Sequence, residues 1–324
     1  MKKIIAFLFL VVALSSCYED YIKDYTYDGI YFSYQVDVRT LVVGEGMKFQ
    51  YGVALGGVSS NTRDRIVNYT FDNTLINNKN LNAMKGGPDY IKNSVASVSS
   101  LLPLPNDYFT VSDKNQFVIK KGQHVGFVSL KADSARVLAD PLTLAGNYAI
   151  AMQITSADAD SVLKAKSYEV IAVKYENMLF GNYWHGGVTV EKDASGNTVK
   201  TTPYYTAVNS PTSKAWALKT VGPMDLTSNG YSDITDPTKQ FIKLSLNGGT
   251  ITVSGFPGAS VSVVQDGDCK FNQAKRLQDR KIFLKYKYVN AAGNTCYAND
   301  TLTFRNRIRD GVNEWQDENP SHYN

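Results

Sequence analysis

Alternation of apolar and polar residues most constrains the fold, because it recurs along much of this chain of 324 residues. Successive side chains of a β-strand point to opposite faces, so a period of two indicates strands that bury one face. The run FIKLSLNGGTITVSGF, residues 241–256, alternates on both sides of a glycine pair. Pairing Leu246 with Ile251 places Gly248-Gly249 at the centre of a tight hairpin, where glycine tolerates the positive φ of a primed turn.

The same alternation runs through both halves of the chain and predicts an all-β protein. RKIFLKYKYV and TCYANDTLTFRNR indicate a second hairpin, closed by the loop at 290–294. The N-terminal half has strands at near Ig-like spacing, which predicts an Ig-like β-sandwich. The C-terminal half predicts an antiparallel β-barrel or a second sandwich. The candidate N-terminal strands are GIYFSYQV, MKFQYGVAL, NQFVIKKG, HVGFVSLKA, NYAIAMQIT and SYEVIAVKY.

Two segments do not alternate. NTLINNKNLNAMKGGPDYIKN, residues 73–93, contains Asn pairs and Gly-Gly-Pro, which disfavour a strand, so we expect a helical or irregular insertion. The C-terminal run DGVNEWQDENP also indicates helical or irregular structure. Pro103 and Pro105 mark a connecting segment, since proline cannot donate to a sheet ladder.

The length of the chain favours two domains. Without residues 1–16, 308 residues remain, more than a single core comfortably serves. The last alternating strand of the first half ends near ENMLFGNYW, where we expect a turn at Gly181-Asn182. We therefore divide the chain into a signal peptide at 1–16, an Ig-like sandwich at 17–178 and a barrel or sandwich at 179–324.

The N-terminus carries an export signal. Lys2 and Lys3 precede an apolar stretch, Ile4 to Leu14, that is too short to span a bilayer as a helix. Leu14-Ser15-Ser16-Cys17 then matches a lipobox, in which the cysteine is diacylated and becomes the mature N-terminus. An ordinary secretory signal is the alternative. Two or more acyl chains anchor a protein stably, so Cys17 is predicted to tether the protein to a membrane.

Two acids follow the predicted anchor. Glu19 and Asp20 match the short acidic export tag of surface lipoproteins. We therefore expect the protein in the outer membrane, lipid-anchored and facing the cell exterior.

Composition argues against nucleic acid as a partner. Once residues 1–16 are removed, 32 basic residues face 30 acidic ones, and no basic stripe is visible in the sequence. After lipidation of Cys17, the exported pair Cys269 and Cys296 is a candidate disulfide. Two separate thiols are the alternative.

No motif for catalysis, metal binding or cofactor binding is recognisable. None of His124, His185 and His322 lies at metal-ligand spacing from another histidine or a cysteine. The runs at 158–160 and 266–268 begin like calcium loops but do not continue as such. We therefore predict no catalytic residue, no metal and no cofactor. A glycoside hydrolase stays an alternative, since it needs only two carboxylates that a fold can bring together.

Aromatic residues are the candidate ligand platform. Apolar faces of pyranose rings stack on Trp and Tyr, and this chain has 21 Tyr, 14 Phe and 3 Trp. In GNYWHGG, alternation places Tyr183 and His185 on one face and Trp184 on the other. Trp216 shares its face with Leu218, which indicates core. The platform candidates are therefore Trp315, Trp184 and Tyr183, with burial in the core as the competing interpretation for each.

Four phrases carry a family resemblance: CYED, LPNDYFTV, FGNYWHGG and DTLTFRNRIRDGVNEWQDE. The chain resembles a Bacteroidota family of two-domain surface lipoproteins, with an Ig-like N-terminal domain and a β-rich, lipocalin-like C-terminal domain. The setting is similar to that of accessory lipoproteins of starch-utilisation-type systems. The resemblance implies polysaccharide as ligand and an outer-membrane transporter complex as partner, and it carries over no catalytic residue.

Three tripeptides resemble the Asp-Ser/Thr-aliphatic sequon that exported Bacteroidota proteins use for O-glycosylation. The candidate acceptors are Ser134, Ser161 and Thr301. Ser134 and Ser161 are expected in turns, and Thr301 in the middle of a strand.

We expect a non-catalytic surface lipoprotein that binds glycans as an accessory to polysaccharide uptake. The first alternative is a structural or adhesive protein of the cell envelope, and the second is a glycoside hydrolase. A barrel that holds a small apolar ligand is a further alternative.

Acylation of Cys17 is directly testable. Mass spectrometry of the native protein should find the mature chain beginning at an acylated Cys17, because the lipobox directs cleavage before it. An unmodified N-terminus on a freely diffusing protein would contradict the prediction.

Overall fold

A computed structural model describes residues 27–205 and 214–317. The predicted signal peptide, the predicted anchor Cys17 and the predicted export tag, Glu19 and Asp20, lie outside the described residues.

Strands dominate the described residues. In the N-terminal half they are β1 (Gly29–Phe32), β2 (Val36–Val43), β3 (Lys48–Gly56), β4 (Arg65–Phe71), β5 (Leu102–Pro103), β6 (Phe109–Val111), β7 (Gln116–Ile119), β8 (Val125–Ala132), β9 (Tyr148–Ala157), β10 (Ser161–Val162) and β11 (Tyr168–Asn177). In the C-terminal half they are β12 (Gly181–Lys192), β13 (Thr198–Tyr204), β14 (Lys214–Thr220), β15 (Asp225–Ser228), β16 (Gly230–Tyr231), β17 (Ile234–Thr235), β18 (Ile242–Asn247), β19 (Thr250–Gly255), β20 (Val264–Gln265), β21 (Cys269–Phe271), β22 (Lys281–Val289), β23 (Thr295–Arg309) and β24 (Val312–Glu314).

Helices are few and short. The α-helices are α1 (Asn78–Lys85), α2 (Asp89–Ser94) and α3 (Ser134–Ala139), and 3-10 turns cover Asn73–Leu75, Pro141–Thr143, Lys164–Lys166 and Leu277–Asp279. The first two α-helices confirm the predicted helical insertion at 73–93. Among the described residues, no helix has both the length and the apolar character needed to cross a bilayer.

The N-terminal half is a β-sandwich, as predicted. One sheet has the order β10-β1-β3-β8-β6, and the other has the order β2-β11-β9-β4-β7 with β5 beside β9. Their facing side chains form an aromatic core in which Phe32 packs edge-on against Phe117, with ring centroids 5.9 Å apart. Tyr51 and Tyr69 meet across the same core and share a hydrogen bond of 3.1 Å.

The helical insertion covers the outer face of the second sheet. Leu81 and Met84 of α1, three residues apart, and Ile91 of α2 are all buried there. The side chain of Asn77 caps α1 by accepting a hydrogen bond from Asn80 N. The strands β2, β9 and β11 are therefore buried on both faces, whereas β4 and β7 of the same sheet keep an exposed outer face.

The C-terminal half is a closed barrel. The strands β12, β14, β15, β18, β19, β20, β22 and β23 are hydrogen-bonded in that order, and β23 pairs back with β12. The structure thus decides between the two predicted forms in favour of the barrel. Both predicted hairpins are confirmed, since Leu246 lies opposite Ile251 and Val289 opposite Thr295. Gly248 adopts a φ of 59° at the centre of the first turn.

Two local predictions were wrong. Gly181 and Asn182 do not form a turn but begin β12, and the chain turns at residues 178–180 instead. Residues 312–314 are not helical or irregular, because β24 pairs with the end of β23.

The predicted disulfide between Cys269 and Cys296 is also wrong, and both are buried free thiols. Cys296 lies opposite Tyr288 on one side of β22, whereas Cys269 lies on the other side, where Lys285 N donates a hydrogen bond to its Sγ at 3.1 Å. A whole strand therefore separates the two cysteines. Two strand spacings alone amount to about 9.6 Å, beyond the Cα separation of roughly 7 Å that a disulfide can bridge.

Candidate functional site

The barrel interior contains a buried polar cluster around Asp300. Tyr204 and Tyr286 donate hydrogen bonds to its two carboxylate oxygens, the second over 2.5 Å. Nε2 of His185 lies 3.2 Å from the same carboxylate. The His185 ring is stacked between Trp216, at a centroid distance of 4.1 Å, and Tyr204, at 4.7 Å.

This Asp300 cluster is part of the core. Asp300, Tyr286 and Trp216 are fully buried, and His185 is 1% exposed. Burial, reinforced by the Asp300 charge, raises the pKa of both Tyr204 and Tyr286, so they remain hydrogen-bond donors at neutral pH. The cluster is a buried polar network of the barrel interior. Tyr204 and Tyr286 satisfy the Asp300 carboxylate, whereas both ring nitrogens of His185 and the indole nitrogen of Trp216 are buried without a hydrogen-bond partner.

The end of the barrel nearest the sandwich is closed by a glutamate from the other domain. Glu45 lies in the turn between β2 and β3, where Gly44 and Gly46 have φ values of 85° and 83°. Both of its oxygens accept hydrogen bonds from Arg307 at 2.8 Å, and Arg280 donates to Oε1 at 2.9 Å.

We call Glu45, Arg280 and Arg307 the Glu45 junction, and it is almost completely buried. The side chains of Glu45, Arg280 and Arg307 are at most 2% exposed. Burial by itself raises the pKa of Glu45, but hydrogen bonds from Arg307 and the charges of Arg307 and Arg280 outweigh it and hold the pKa below its ordinary value. Glu45 of the sandwich and the two arginines of the barrel therefore pair across the domain boundary. Separating the domains would break these buried ion pairs.

Asp37 and Glu169 are among the other carboxyl groups that are buried in the sandwich. Asp37 accepts a hydrogen bond from Tyr90 at 3.0 Å and pairs with Arg39 at 2.9 Å. Glu169 lies on the neighbouring strand and is 4% exposed. Its burial, and secondly the Asp37 charge, raise the pKa of Glu169 to about 8.

Two clefts flank the β23–β24 hairpin at the domain junction, and Asp310 lines both. One encloses about 250 Å³ beside α2, and the other about 280 Å³ beside β3. Each offers one aromatic ring, Tyr90 in the first and Phe49 in the second. The clefts thus lack the paired aromatic surfaces that sugar recognition favours.

The outer side of the barrel does bring several aromatic rings together. Trp184 of β12, Phe283 of β22 and Tyr297 of β23 are half-buried and point outward, since they alternate with buried neighbours. A cation lies over each ring, at 4.5 Å for Arg305 on Trp184 and 5.8 Å for Lys270 on Phe283. Lys192 and Lys287 lie 5.4 and 5.8 Å from the Tyr297 ring.

We call this surface the aromatic face, defined by the outward residues of β12, β22 and β23 together with Lys270. Strand register sets its dimensions, because Trp184 is opposite Thr303 and Phe283 is opposite Thr301. At standard strand spacing and rise, Phe283 lies about 12 Å from Trp184 and about 14 Å from Tyr297. Thr301, Thr303 and Asn299 lie between the rings and supply hydrogen-bonding groups.

The structure separates the predicted platform residues. Trp184 belongs to the aromatic face, whereas Tyr183 points into the barrel, is fully buried and packs edge-on against Phe304. Tyr183 was therefore wrong as a platform residue, although the predicted alternation in GNYWHGG is correct. Trp315 is 59% exposed but lies beyond β24, outside the aromatic face.

The candidate O-glycosylation residues lie in three different settings. Ser134 is exposed at the start of α3, directly after its capping residue Asp133. Ser161 is half-buried in β10 rather than in a turn. Thr301 lies mid-strand, as predicted, paired on both sides in the barrel wall.

Sequence reasoning did not name Phe283 and Tyr297 among the candidates for a ligand platform. The signal was present in KIFLKYKYV, where residues 281, 283, 285 and 287 share one face. Only the closed barrel shows that this face points outward and that β23 lies between β12 and β22. Within the described residues, no group of three or more His, Cys, Asp or Glu could hold a metal ion.

Fold and surface together define a class: a two-domain all-β protein that joins a sandwich to a closed eight-stranded barrel. A family model described as an N-terminal domain matches residues 22–161. A Bacteroides ovatus protein of unknown function, solved by structural genomics, aligns over 90% of this chain and 98% of its own, with 21% identity and a TM-score of 0.60. A multidomain Bacteroides ovatus protein including DUF1735 aligns over 90% of this chain and 100% of its own, with 12% identity and a TM-score of 0.43.

No curated protein matches the chain. The structure with the TM-score of 0.60 shares the two-domain fold. Together with the family match, it supports the resemblance to a Bacteroidota family noted from the sequence.

Replacing Glu45 by Gln should destabilise the protein strongly at neutral pH. Arg280 and Arg307 would each lose the buried ion pair with Glu45, although Arg307 keeps its pair with Glu314 at 2.6 Å. Removing one partner of a buried ion pair typically costs about 3–5 kcal/mol in the free energy of unfolding. The loss should shrink as pH falls below about 4.3, since the lowered pKa of Glu45 contributes stability only while the unfolded carboxyl is ionised. Urea titration from pH 3 to 8 measures both effects.

Asp64→Asn is the matched control. Asp64 pairs with Lys120 at 2.9 Å, but both side chains are more than half exposed, so its loss should change stability little. Equal effects of the two substitutions would contradict the importance assigned to the Glu45 junction.

Replacing Glu169 by Gln should stabilise the protein above neutral pH. With a native pKa of about 8, Glu169 takes up a proton on folding, so wild-type stability falls as pH rises from about 4.3 toward 8. Gln cannot ionise, and the variant should gain up to roughly 4 kcal/mol at pH 7.5 and almost nothing at pH 4.5. Glu191→Gln, at a carboxylate whose pKa is lowered by hydrogen bonds from Asn294 and Asn290, should show no such gain. A Glu169→Gln variant without pH-dependent stabilisation would show that Glu169 is ionised in the native state.

Proposed function

We propose that this protein is a non-catalytic surface lipoprotein that binds glycans on its aromatic face as an accessory to polysaccharide uptake. In this proposal Cys17 anchors it to the outer membrane, with the domains facing the cell exterior beside a transporter complex. The observation that carries the binding role is the presence of three outward aromatic rings on three adjacent strands of a rigid barrel wall.

The chemistry of the aromatic face supports a sugar ligand. Half-buried rings are held in place by the sheet, so stacking orders few side chains on binding. Hydroxyl groups of Thr301 and Thr303 and the amide of Asn299 lie between them and can bond to sugar hydroxyls. The distances between rings correspond to several sugar units, which favours a polymer over a single sugar.

A binding role without catalysis is supported by the position of the carboxylates. Hydrolysis of a glycosidic bond normally uses two carboxylates that flank the substrate. In the barrel, the described part of the chain places a single carboxylate, Asp300, in the polar cluster, and it is sealed from solvent. The outward residues of β12, β22 and β23 contain no acid.

Replacing Phe283 by Ala should weaken retention on immobilised polysaccharide. One lost aromatic stack is worth roughly 1 kcal/mol, or about five-fold in Kd, and Trp184→Ala should act similarly. Affinity electrophoresis with a panel of polysaccharides, using the full chain in non-ionic detergent, measures this.

Phe127→Ala is the matched control for Phe283→Ala. Phe127 is 58% exposed on β8 of the sandwich, so its removal should leave retention unchanged. Retention of the Phe283 and Trp184 variants at wild-type level, with native melting temperatures, would exclude the aromatic face as a glycan site.

A further inference from the structure

We infer that the aromatic face recognises an acidic polysaccharide, whose carboxylate or sulfate groups bind the cations around the rings. This inference rests on the proposed glycan-binding function and specifies the class of ligand. It is carried by the local excess of positive charge and by the placement of cations on the rings.

The aromatic face is strongly basic although the chain as a whole is nearly neutral. Its cations are Lys192, Lys270, Lys281, Lys285, Lys287 and Arg305. Asp266 pairs with Lys287 at 2.9 Å. In the part of the chain that the structure describes, no carboxylate lies within 4 Å of the charged group of any of the other five. A polyanion is the ligand whose charge complements such a surface.

Strand periodicity concentrates this charge on one side of the wall. On β22 the outward positions are Lys281, Phe283, Lys285 and Lys287, while Ile282 and Leu284 between them are buried. Lys270 of β21 lies directly opposite Phe283 and adds its charge to the same side. An apolar or neutral ligand would gain nothing from this arrangement of lysines.

The cations on the rings favour an acidic over a neutral sugar. Arg305 and Lys270 cover part of the Trp184 and Phe283 rings. A neutral sugar that stacks there must displace the cation from the ring without replacing its interaction. An acidic sugar offers the displaced cation a charge-assisted hydrogen bond, which is stronger than an exposed cation–π contact. Stacking and ion pairing can therefore occur together only with an acidic ligand.

Polygalacturonate and its fully methyl-esterified form test the inference, because they share sugar rings and differ in charge. The full chain in non-ionic detergent should bind polygalacturonate at least about ten-fold more tightly at 50 mM salt, and the difference should shrink as salt screens the charges. Titration calorimetry at two salt concentrations measures both.

Reversing the charge of two lysines tests the contribution of ion pairing to binding independently of stacking on the rings. Lys281 and Lys285 lie on the aromatic face, but neither is placed over a ring. Lys281→Glu with Lys285→Glu should lose most of the polygalacturonate affinity and leave any binding of the methyl ester unchanged. Lys114→Glu with Lys164→Glu, at exposed sites of the sandwich, makes the same change in net charge and should have no effect.

The outcomes distinguish this inference from the proposed function. Equal binding of both polymers, unaffected by the Lys281 and Lys285 changes, would overturn the acidic ligand and leave glycan binding intact. Binding of neither polymer, nor of any neutral glycan on an array, would overturn both. Tighter binding to single-stranded oligonucleotide, or to vesicles of phosphatidylcholine and phosphatidylglycerol, would also overturn the acidic-glycan inference.

Discussion

The pairing of β12 with β23 is the constraint on which the C-terminal half depends. It runs from the Lys192–Thr295 pair to the Asn182–Asn306 pair and converts a meandering sheet into a closed barrel. Closure removes both sheet edges and gives every strand of the wall an inside and an outside. Because side chains alternate along a strand, this single pairing sends Tyr183 and His185 to the interior and Trp184 to the surface.

The same strands therefore form both the barrel interior and the aromatic face. β23 contributes Asp300 to the buried polar cluster and Tyr297 to the outside, three residues apart. β22 likewise contributes Tyr286 to Asp300 and Phe283 to the aromatic face. The buried cluster fixes the register of these strands, since a slip by one residue would exchange the two faces. The register of the aromatic face therefore depends on hydrogen bonds on the opposite side of the wall.

The Glu45 junction couples the two domains by a different mechanism. A tight turn of the sandwich inserts one carboxylate between Arg280 and Arg307, which both belong to the barrel. Buried ion pairs contribute little net stability compared with apolar packing, but they penalise any arrangement that leaves a charge alone. We therefore interpret the junction as a device for orientation, which holds the barrel at one angle to the sandwich and so presents the aromatic face in a defined direction.

Local pattern in the sequence was sufficient for the all-β class, the two hairpins, the helical insertion and the alternation in GNYWHGG. Each depends on interactions between residues close together in the chain or on the two-residue period of a strand. The cysteines show the limit of such local patterns. The spacing of Cys269 and Cys296 in the sequence is compatible with a disulfide, but β22 lies between them in the fold. The choice of barrel over sandwich, the burial of Tyr183, the Glu45 junction and the grouping of Phe283, Tyr297 and Trp184 were decided only by tertiary structure. All of these depend on which distant strands become neighbours, and hydrophobic alternation specifies that each strand has a buried face without specifying its partner.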